Sequence, residues 1–189
     1  MEQGKLIIFS APSGSGKTTI VKELLKIFPQ FEFSISATSR APRGTEQDGV
    51  DYFFLTQEEF SQKVKEEAFV EWEEVYNGTC YGTLKSEMQR IWAKGNIIIF
   101  DVDVMGGINL KKIFGDAACS IFIMPPSIEV LRQRLIGRGT DSMETIEKRV
   151  GKAEFEISKS EEFDFVIVND ILSEAVEQTK QVINDFISK

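Results

Sequence analysis

Four short apolar runs, residues 6–9 (LIIF), 97–100 (IIIF), 121–124 (IFIM) and 165–168 (FVIV), are continuous in hydrophobicity rather than alternating. Alternation suits a strand with one wet face. A continuous run suits a strand covered on both faces, as in a parallel sheet with helices on either side. Helical periodicity fills the intervals, over residues 18–28, 84–94 with Gly95 as the stop, 127–135, 142–158 and 173–187. Within residues 142–158, Met143, Ile146, Val150 and Ile157 form one apolar stripe, expected to face the core. The alternation of strand and helix predicts an α/β fold, doubly wound, with a parallel sheet flanked by helices.

Two stretches break this rhythm. Residues 34–83 begin rich in Ser, Thr, Arg, Pro and Gly, and then offer a strand at 51–55, a helix opened by Thr56 with Glu59 as a capping box, and a strand at 69–76. They read as an insertion of mixed α/β character. Residues 127–160 form a second polar segment, with a Gly137-Arg138-Gly139 turn, and read as a hinged helical lid. No repeat or independent linker separates them, so both are expected to be subdomains of one domain.

The chain has 189 residues, enough for one core. It has no histidine, which excludes Ser-His-Asp and Cys-His catalysis and any imidazole metal site. Cys80 and Cys119 are too far apart for a zinc knuckle and too few for a disulfide framework, which favours a reducing compartment. The net charge of −8 repels extended phosphate backbones and anionic membranes, so neither nucleic acid nor membrane is an expected partner. Six arginines nevertheless cluster in two places, Arg40 and Arg43 in one, Arg132, Arg134, Arg138 and Arg149 in the other. Small anionic ligands fit them better. The opening MEQGKLIIFS has only four apolar residues in a row, which fits neither a signal peptide nor a membrane span; a cytoplasmic location is expected.

After the first strand comes Ala11-Pro12-Ser13-Gly14-Ser15-Gly16-Lys17-Thr18 and then Thr19 in an apolar-periodic helix, the setting of a phosphate-binding P-loop. Gly14 and Gly16 let backbone N–H groups turn onto a β-phosphate, the helix N-terminus adds partial positive charge, Lys17 reaches the β and γ oxygens, and Thr18 offers a hydroxyl to Mg²⁺. The usual pattern begins with glycine where this chain has Ala11. A second strand ends in Asp101, with Asp103 two residues on. Such an aspartate can anchor Mg²⁺ beside a P-loop, and alternation puts both carboxylates on one side. A turn aspartate closing a strand explains Asp101 equally well.

These segments, together with Ser36-Ala37-Thr38-Ser39-Arg40-Ala41-Pro42-Arg43-Gly44, Gly49-Val50-Asp51-Tyr52-Phe53, Phe69-Val70-Glu71-Trp72, Tyr81-Gly82-Thr83, Gly137-Arg138-Gly139-Thr140 and Val168-Asn169-Asp170, give the chain a resemblance to guanylate kinases along nearly its whole length. Each motif alone is weak; their joint order is specific. The resemblance implies ATP-dependent phosphorylation of GMP, and of dGMP, with Mg²⁺ as cofactor. It implies a core of residues 1–33, 84–126 and 161–189, a GMP-binding subdomain of residues 34–83 and a lid of residues 127–160. It assigns Ala11 to Thr19, Arg134, Arg138 and Asn169 to ATP, and Thr18 and Asp101 to the metal. Arg40, Arg43, Tyr52, Tyr81 and Arg149 go to the GMP phosphate, and Ser36, Glu71, Thr83 and Asp103 to its base. Lys17, Arg43, Arg138 and Arg149 are the implied catalytic residues, with no role for Arg132. On spacing alone Glu71, beside Glu73 and Glu74, reads as solvated charge. Met105 stands where many relatives carry glutamine.

The implied chemistry needs no histidine, because the acceptor phosphate has a second pKa of about 6 and is already ionised near neutrality. Three other readings compete. A guanylate-kinase-like interaction module without activity is disfavoured by the intact Gly16-Lys17-Thr18; a GTPase switch lacks its Asn-Lys-x-Asp guanine reader; and a P-loop kinase for another phosphorylated acceptor is disfavoured by Glu71 with Tyr81-Gly82-Thr83. Homo-oligomerisation is compatible with the sequence and not fixed by it.

Overall fold

The computed structural model of the protein describes residues 4–76, 78–139 and 141–189. The chain forms two compact units, Met1–Phe31 with Ile99–Lys189, and Glu32–Ile98.

The first unit is built on a five-stranded sheet. Its strands are β1 (Leu6–Ser10), β2 (Phe31–Phe33), β7 (Ile97–Asp101), β8 (Ala118–Met124) and β9 (Phe165–Val168), in the order β2-β7-β1-β8-β9, with residues 32–33 of β2 and 97–98 of β7 counting with the second unit. β1 pairs parallel to β8, in register Leu6↔Ala118, and β8 parallel to β9. β1 is buried throughout and β8 nearly so. Helices α1 (Lys17–Ile27), α4 (Val104–Phe114), α5 (Ile128–Arg138), α6 (Met143–Ser158) and α7 (Leu172–Ile187) complete the unit. α4 packs on β1 and β8, α7 on β9 and α1, and α5 on α6. The expected α/β class and the four apolar strands are therefore present.

Three features differ from expectation. β9 lies at the sheet edge and buries only Ile167, leaving Phe165, Val166 and Val168 exposed, so its continuous apolar run does not mark a strand covered on both faces. On α6 the buried stripe is Ile146, Val150, Ala153 and Glu156, while Met143, in the first turn, is exposed. α4 has no counterpart among the periodic segments, because its Gly106-Gly107 pair lowers helix propensity. It forms because Asp103 caps it, accepting from the Gly106 amide at 2.8 Å, and because Val104, Ile108 and Leu110 are buried.

The second unit carries a four-stranded sheet of β3 (Ala37–Thr38), β4 (Phe53–Phe54), β5 (Phe69–Tyr76) and β6 (Thr79–Leu84), in the order β4-β3-β6-β5. β3 is parallel to β4 and antiparallel to β6; β5 and β6 are antiparallel, with irregularities between Phe69 and Glu71 and between Glu74 and Tyr76. Helices α2 (Gln57–Lys65) and α3 (Lys85–Trp92) belong to it. The capping box forms: Thr56 Oγ1 accepts from the Glu59 amide at 3.1 Å and Glu59 Oε2 from the Thr56 amide at 2.7 Å, a cap worth about 1 kcal/mol. Ala37, Phe60, Phe69 and Leu84 make the core. α3 joins this unit because Glu87, buried, accepts from the Ile35 amide at 3.1 Å, and Arg90 clasps both Glu87 and Glu32. Among the described residues no helix is long and apolar enough to cross a membrane.

Candidate active site

In the first unit the chain leaves β1 through residues 11–16 and enters α1 at Lys17. Gly14 and Gly16 have φ of 99° and 89°, a backbone that side chains resist. Gly16 is constrained twice over, since a Cβ there collides with the amide of Asn169. The loop is closed by Ser15, whose amide and hydroxyl both donate to the Pro12 carbonyl, at 3.2 and 2.6 Å. Asn169, itself buried, donates from Nδ2 to the Ser15 carbonyl at 2.7 Å. α1 begins with no side-chain cap and no acidic residue in its first turn, so its N-terminal amides remain available to an anion.

Lys17 forms an ion pair with Asp101 and donates to the Val102 carbonyl at 3.3 Å. The strand-ending aspartate thus faces the loop lysine. Asp103 is exposed at the α4 N-cap, and Ser10 Oγ donates to the carbonyls of Val102 and Asp103 at 2.9 and 2.8 Å, fixing the turn between β7 and α4. Thr18 and Thr19 are exposed in the first turn of α1, and Ala11 and Pro12 are buried beneath the loop.

The arginines of residues 127–160 separate by role. Arg149 on α6 donates to Ser13 Oγ of the loop at 2.6 Å and pairs with Asp141 at 3.2 Å. Arg134 on α5 donates from Nη2 to the Asn169 carbonyl at 2.9 Å, and its Nη1 is buried without an acceptor. Arg138, last in α5, is exposed and has no ion pair among the described residues. Arg132 pairs with Glu147, away from the loop. A cleft of about 360 Å³ is lined by Gly14, Gly16, Thr19, Arg134, Arg138 and Asn169 among others. Thr140 lies outside the described residues.

The second unit gathers two further groups on one sheet. Arg40 donates from Nε to the Tyr81 hydroxyl at 3.2 Å and lies 5.0 Å over the Tyr52 ring; the Tyr52 and Tyr81 rings meet edge-on at 5.9 Å. Burial raises the Tyr52 phenol above its ordinary range, so it stays protonated as a donor. Arg43 is exposed nearby in the same loop. The second group is Glu71 on β5 and Thr83 on β6, cross-strand partners, with Thr83 Oγ1 donating to Glu71 Oε1 at 2.8 Å. Ser36 is half-buried at the entry to β3, whose Ala37 pairs with Gly82. Tyr81 and Thr83, two apart on β6, point to one face, so the two groups are neighbours. Asp103 belongs to the other unit.

Sequence reasoning passed over Glu46. It binds Arg40 bidentately, at 2.6 and 2.8 Å, and accepts from the Arg43 amide at 2.7 Å. In a Pro/Gly-rich loop it looks like any solvated charge; only the fold reveals its partners. Of the two free cysteines, Cys80 precedes Tyr81 in β6 and Cys119 is buried in β8, where burial pushes its thiol up to about 12. Among the described residues no cluster of three or more acidic or cysteine side chains is arranged around a metal.

The chain thus carries a glycine-rich loop at the start of α1, with a cleft beside it, and an acid-hydroxyl pair on a small mixed sheet. Residues 3–186 match the guanylate kinase family. The chain is 56% identical to a guanylate kinase of Bacteroides thetaiotaomicron over 186 residues, 98% of this chain and 91% of the relative. It is equally similar, at 56%, to a guanylate kinase of Porphyromonas gingivalis, over 98% and 99% of the two chains. Among solved structures it superposes on guanylate kinase from Anaplasma phagocytophilum with a TM-score of 0.73 at 30% identity, over 96% of this chain and 85% of that one. The agreement of sequence and fold over almost the full chain shows that the protein belongs to the guanylate kinase family.

Proposed function

We propose that the protein transfers the γ-phosphoryl group of ATP to GMP, giving ADP and GDP, with dGMP as a second acceptor. The observation that carries this is the placing of the Arg40-Tyr52-Tyr81 cluster beside the Glu71-Thr83 pair on one sheet. A phosphate and a base separated by one ribose need such neighbours.

The base group suits guanine. Guanine presents donors at N1 and N2 and an acceptor at O6, so carboxylates of Glu71 and Asp103 meet the first two and the Ser36 hydroxyl serves the third, joined by Thr83 when its proton turns from Glu71 to the base. Adenine reverses the pattern at both edges and leaves buried groups unpaired, at about 1–3 kcal/mol each. Arg40, Arg43, Tyr52 and Tyr81 take the acceptor phosphate.

On the donor side, the amides of residues 13–18 and the ammonium of Lys17 hold the β- and γ-phosphates, and the cleft lined by Arg134, Arg138 and Asn169 receives the adenosine end. Arg134 Nη1, buried without an acceptor, is suited to it. Lys17 must exchange Asp101 for phosphate when ATP enters, which frees the Asp101 carboxylate. The Thr18 hydroxyl and the Asp101 carboxylate would hold Mg²⁺, an ion for which two protein oxygens suffice beside a bound nucleotide. When bound, the ion neutralises charge on the phosphates.

The acceptor phosphate is ionised near neutrality, so the chain supplies no general base. Lys17, Arg138 and Arg149 stabilise charge on the equatorial oxygens as the phosphoryl group moves, with Arg43 on the acceptor side. Residues 127–160 act as a lid on a core of residues 1–33, 84–126 and 161–189, and residues 34–83 as the GMP-binding subdomain, to which α3 is tied through Glu87; closure removes water that otherwise accepts the phosphoryl group. The net charge of −8, which disfavours anionic membrane surfaces, supports a cytoplasmic location. Incubation with ATP, Mg²⁺ and GMP, followed by chromatography of the nucleotides, tests the reading: stoichiometric ADP and GDP are expected, and ADP without GDP contradicts it.

A further inference from the structure

Glu46 lies in the loop between β3 and β4, in a turn closed by its own amide donating to the Arg43 carbonyl at 3.1 Å. Its carboxylate has two kinds of partner. Oε1 and Oε2 take Nη2 and Nη1 of Arg40, and Oε2 also takes the Arg43 amide. The Arg40 fork is otherwise engaged by the Ala41 carbonyl at 2.9 Å and the Tyr81 hydroxyl, which leaves one Nη2–H of its five donors for a ligand. The rings of Tyr52 and Phe54 lie 5.0 and 5.6 Å from the guanidinium.

We propose that Glu46 is a positioning residue for the acceptor phosphate, aiming the Arg40 guanidinium and fixing the backbone from which Arg43 extends before the phosphate arrives. This rests on the reading of Arg40 and Arg43 as phosphate ligands. An arginine held in one rotamer loses less conformational freedom on binding, and the gain appears as affinity for the group it meets. Arg40 holds the Glu46 carboxyl down to about 2, with the Arg43 amide next in effect, so the anion is present throughout the working pH range.

The opposite role, a stand-in anion that phosphate displaces, predicts tighter binding when Glu46 is neutralised. The geometry favours positioning. A displaceable stand-in is held only by the groups phosphate takes over, whereas Glu46 is also tied to the main chain of its own loop through the Arg43 amide.

The test is Glu46→Gln, which keeps length and one acceptor oxygen but turns an NH₂ toward the guanidinium. Calorimetric titration compares GMP with guanosine, which lacks the phosphate. The Kd for GMP is expected to rise about tenfold, the loss of a charge-assisted contact, while guanosine binding and the KM for ATP stay within about twofold. In an Arg40→Ala background the same change is expected to add less than about threefold, because its main partner is gone. Glu46→Asp, which keeps the charge but cannot span both partners, should fall between. Unchanged or tighter GMP binding, or equal weakening of GMP and guanosine, overturns the proposal. If wild type binds GMP and makes GDP while Glu46→Gln matches it, this inference alone fails; if wild type makes no GDP, the functional reading fails first.

Discussion

Gly82 sits in β6 between Tyr81 and Thr83, paired with Trp72 on one side and Ala37 on the other. A Cβ added there comes within 2.8 Å of the Glu71 carbonyl oxygen, 2.8 Å of Trp72 Cβ and 2.9 Å of Phe69 Cδ1. Comfortable separations are about 3.5 Å or more, so Gly82→Ala must open the β5/β6 ladder by roughly 0.5–1 Å. No neighbour yields easily. Two of the atoms belong to the β5 main chain or its first side-chain carbon, and Phe69 is buried and stacked on Phe60 at 4.5 Å. Overpacking of this kind costs about 1–3 kcal/mol, which lowers Tm by about 2–4 °C per kcal/mol in a chain of this size. The shift falls on Glu71, whose 2.8 Å hydrogen bond to Thr83 spans the same two strands. A misplacement approaching 1 Å costs on the order of a hundredfold, so kcat/KM for GMP is expected to fall between about tenfold and a hundredfold. The KM for ATP should not follow, since the Gly-rich loop belongs to the other unit. Coupled ADP-release kinetics and thermal denaturation read both effects. A variant with unchanged Tm and GMP kinetics within about twofold of wild type refutes the reasoning, because the ladder then absorbs a methyl group without moving Glu71.

Lys17→Met should reduce kcat by about a hundredfold or more while leaving GMP binding intact, as measured by turnover at saturating ATP and by titration calorimetry. Glu32, paired with Arg90 and Lys94, has its carboxyl drawn down to about 2, by Lys94 foremost and then by Asn96 and Arg90. Its contribution is complete above the ordinary value of 4.5 and is lost as pH falls toward 2. Glu32→Gln should therefore cost about 1 kcal/mol in urea denaturation at pH 7 and nothing near pH 2, so the two stability curves converge in acid. Glu67, exposed after α2, is the one described non-glycine residue with positive φ, at 52°. Glu67→Gly should raise stability by about 0.5–1 kcal/mol in the same assay, by removing left-handed strain at a helix end.

The parallel core and the loop at residues 11–18 were legible because burial on both faces and a phosphate cradle each demand rare local patterns. β1 contains the apolar run 6–9 and β8 the run 121–124, and residues 14–18 set two glycines, Lys and Thr between β1 and α1. α4 was hidden by Gly106-Gly107, β3 by its two-residue length, and β6 by polar sequence such as Cys80-Tyr81-Gly82-Thr83. β9 misled in the opposite direction, since apolar composition does not distinguish a central strand from an edge. At the site, Arg40, Tyr52 and Tyr81 were named by resemblance, but their contact depends on β3, β4 and β6 being neighbours. Glu46 had no signal of its own, because its meaning lies in a bidentate contact six residues back and in one backbone amide.

The central claim is that Glu71 and its neighbours choose guanine, and the ratio of kcat/KM for GMP to that for AMP, in wild type and in Glu71→Gln, tests it most directly. Glutamine keeps one acceptor but presents NH₂ to a base donor. Wild type is expected to favour GMP over AMP, UMP and CMP by at least about a hundredfold, the worth of two mismatched hydrogen bonds, and Glu71→Gln to lose at least about tenfold on GMP with no change in KM for ATP. Comparable use of AMP by wild type, or a Glu71→Gln enzyme within about threefold of wild type on GMP, contradicts it.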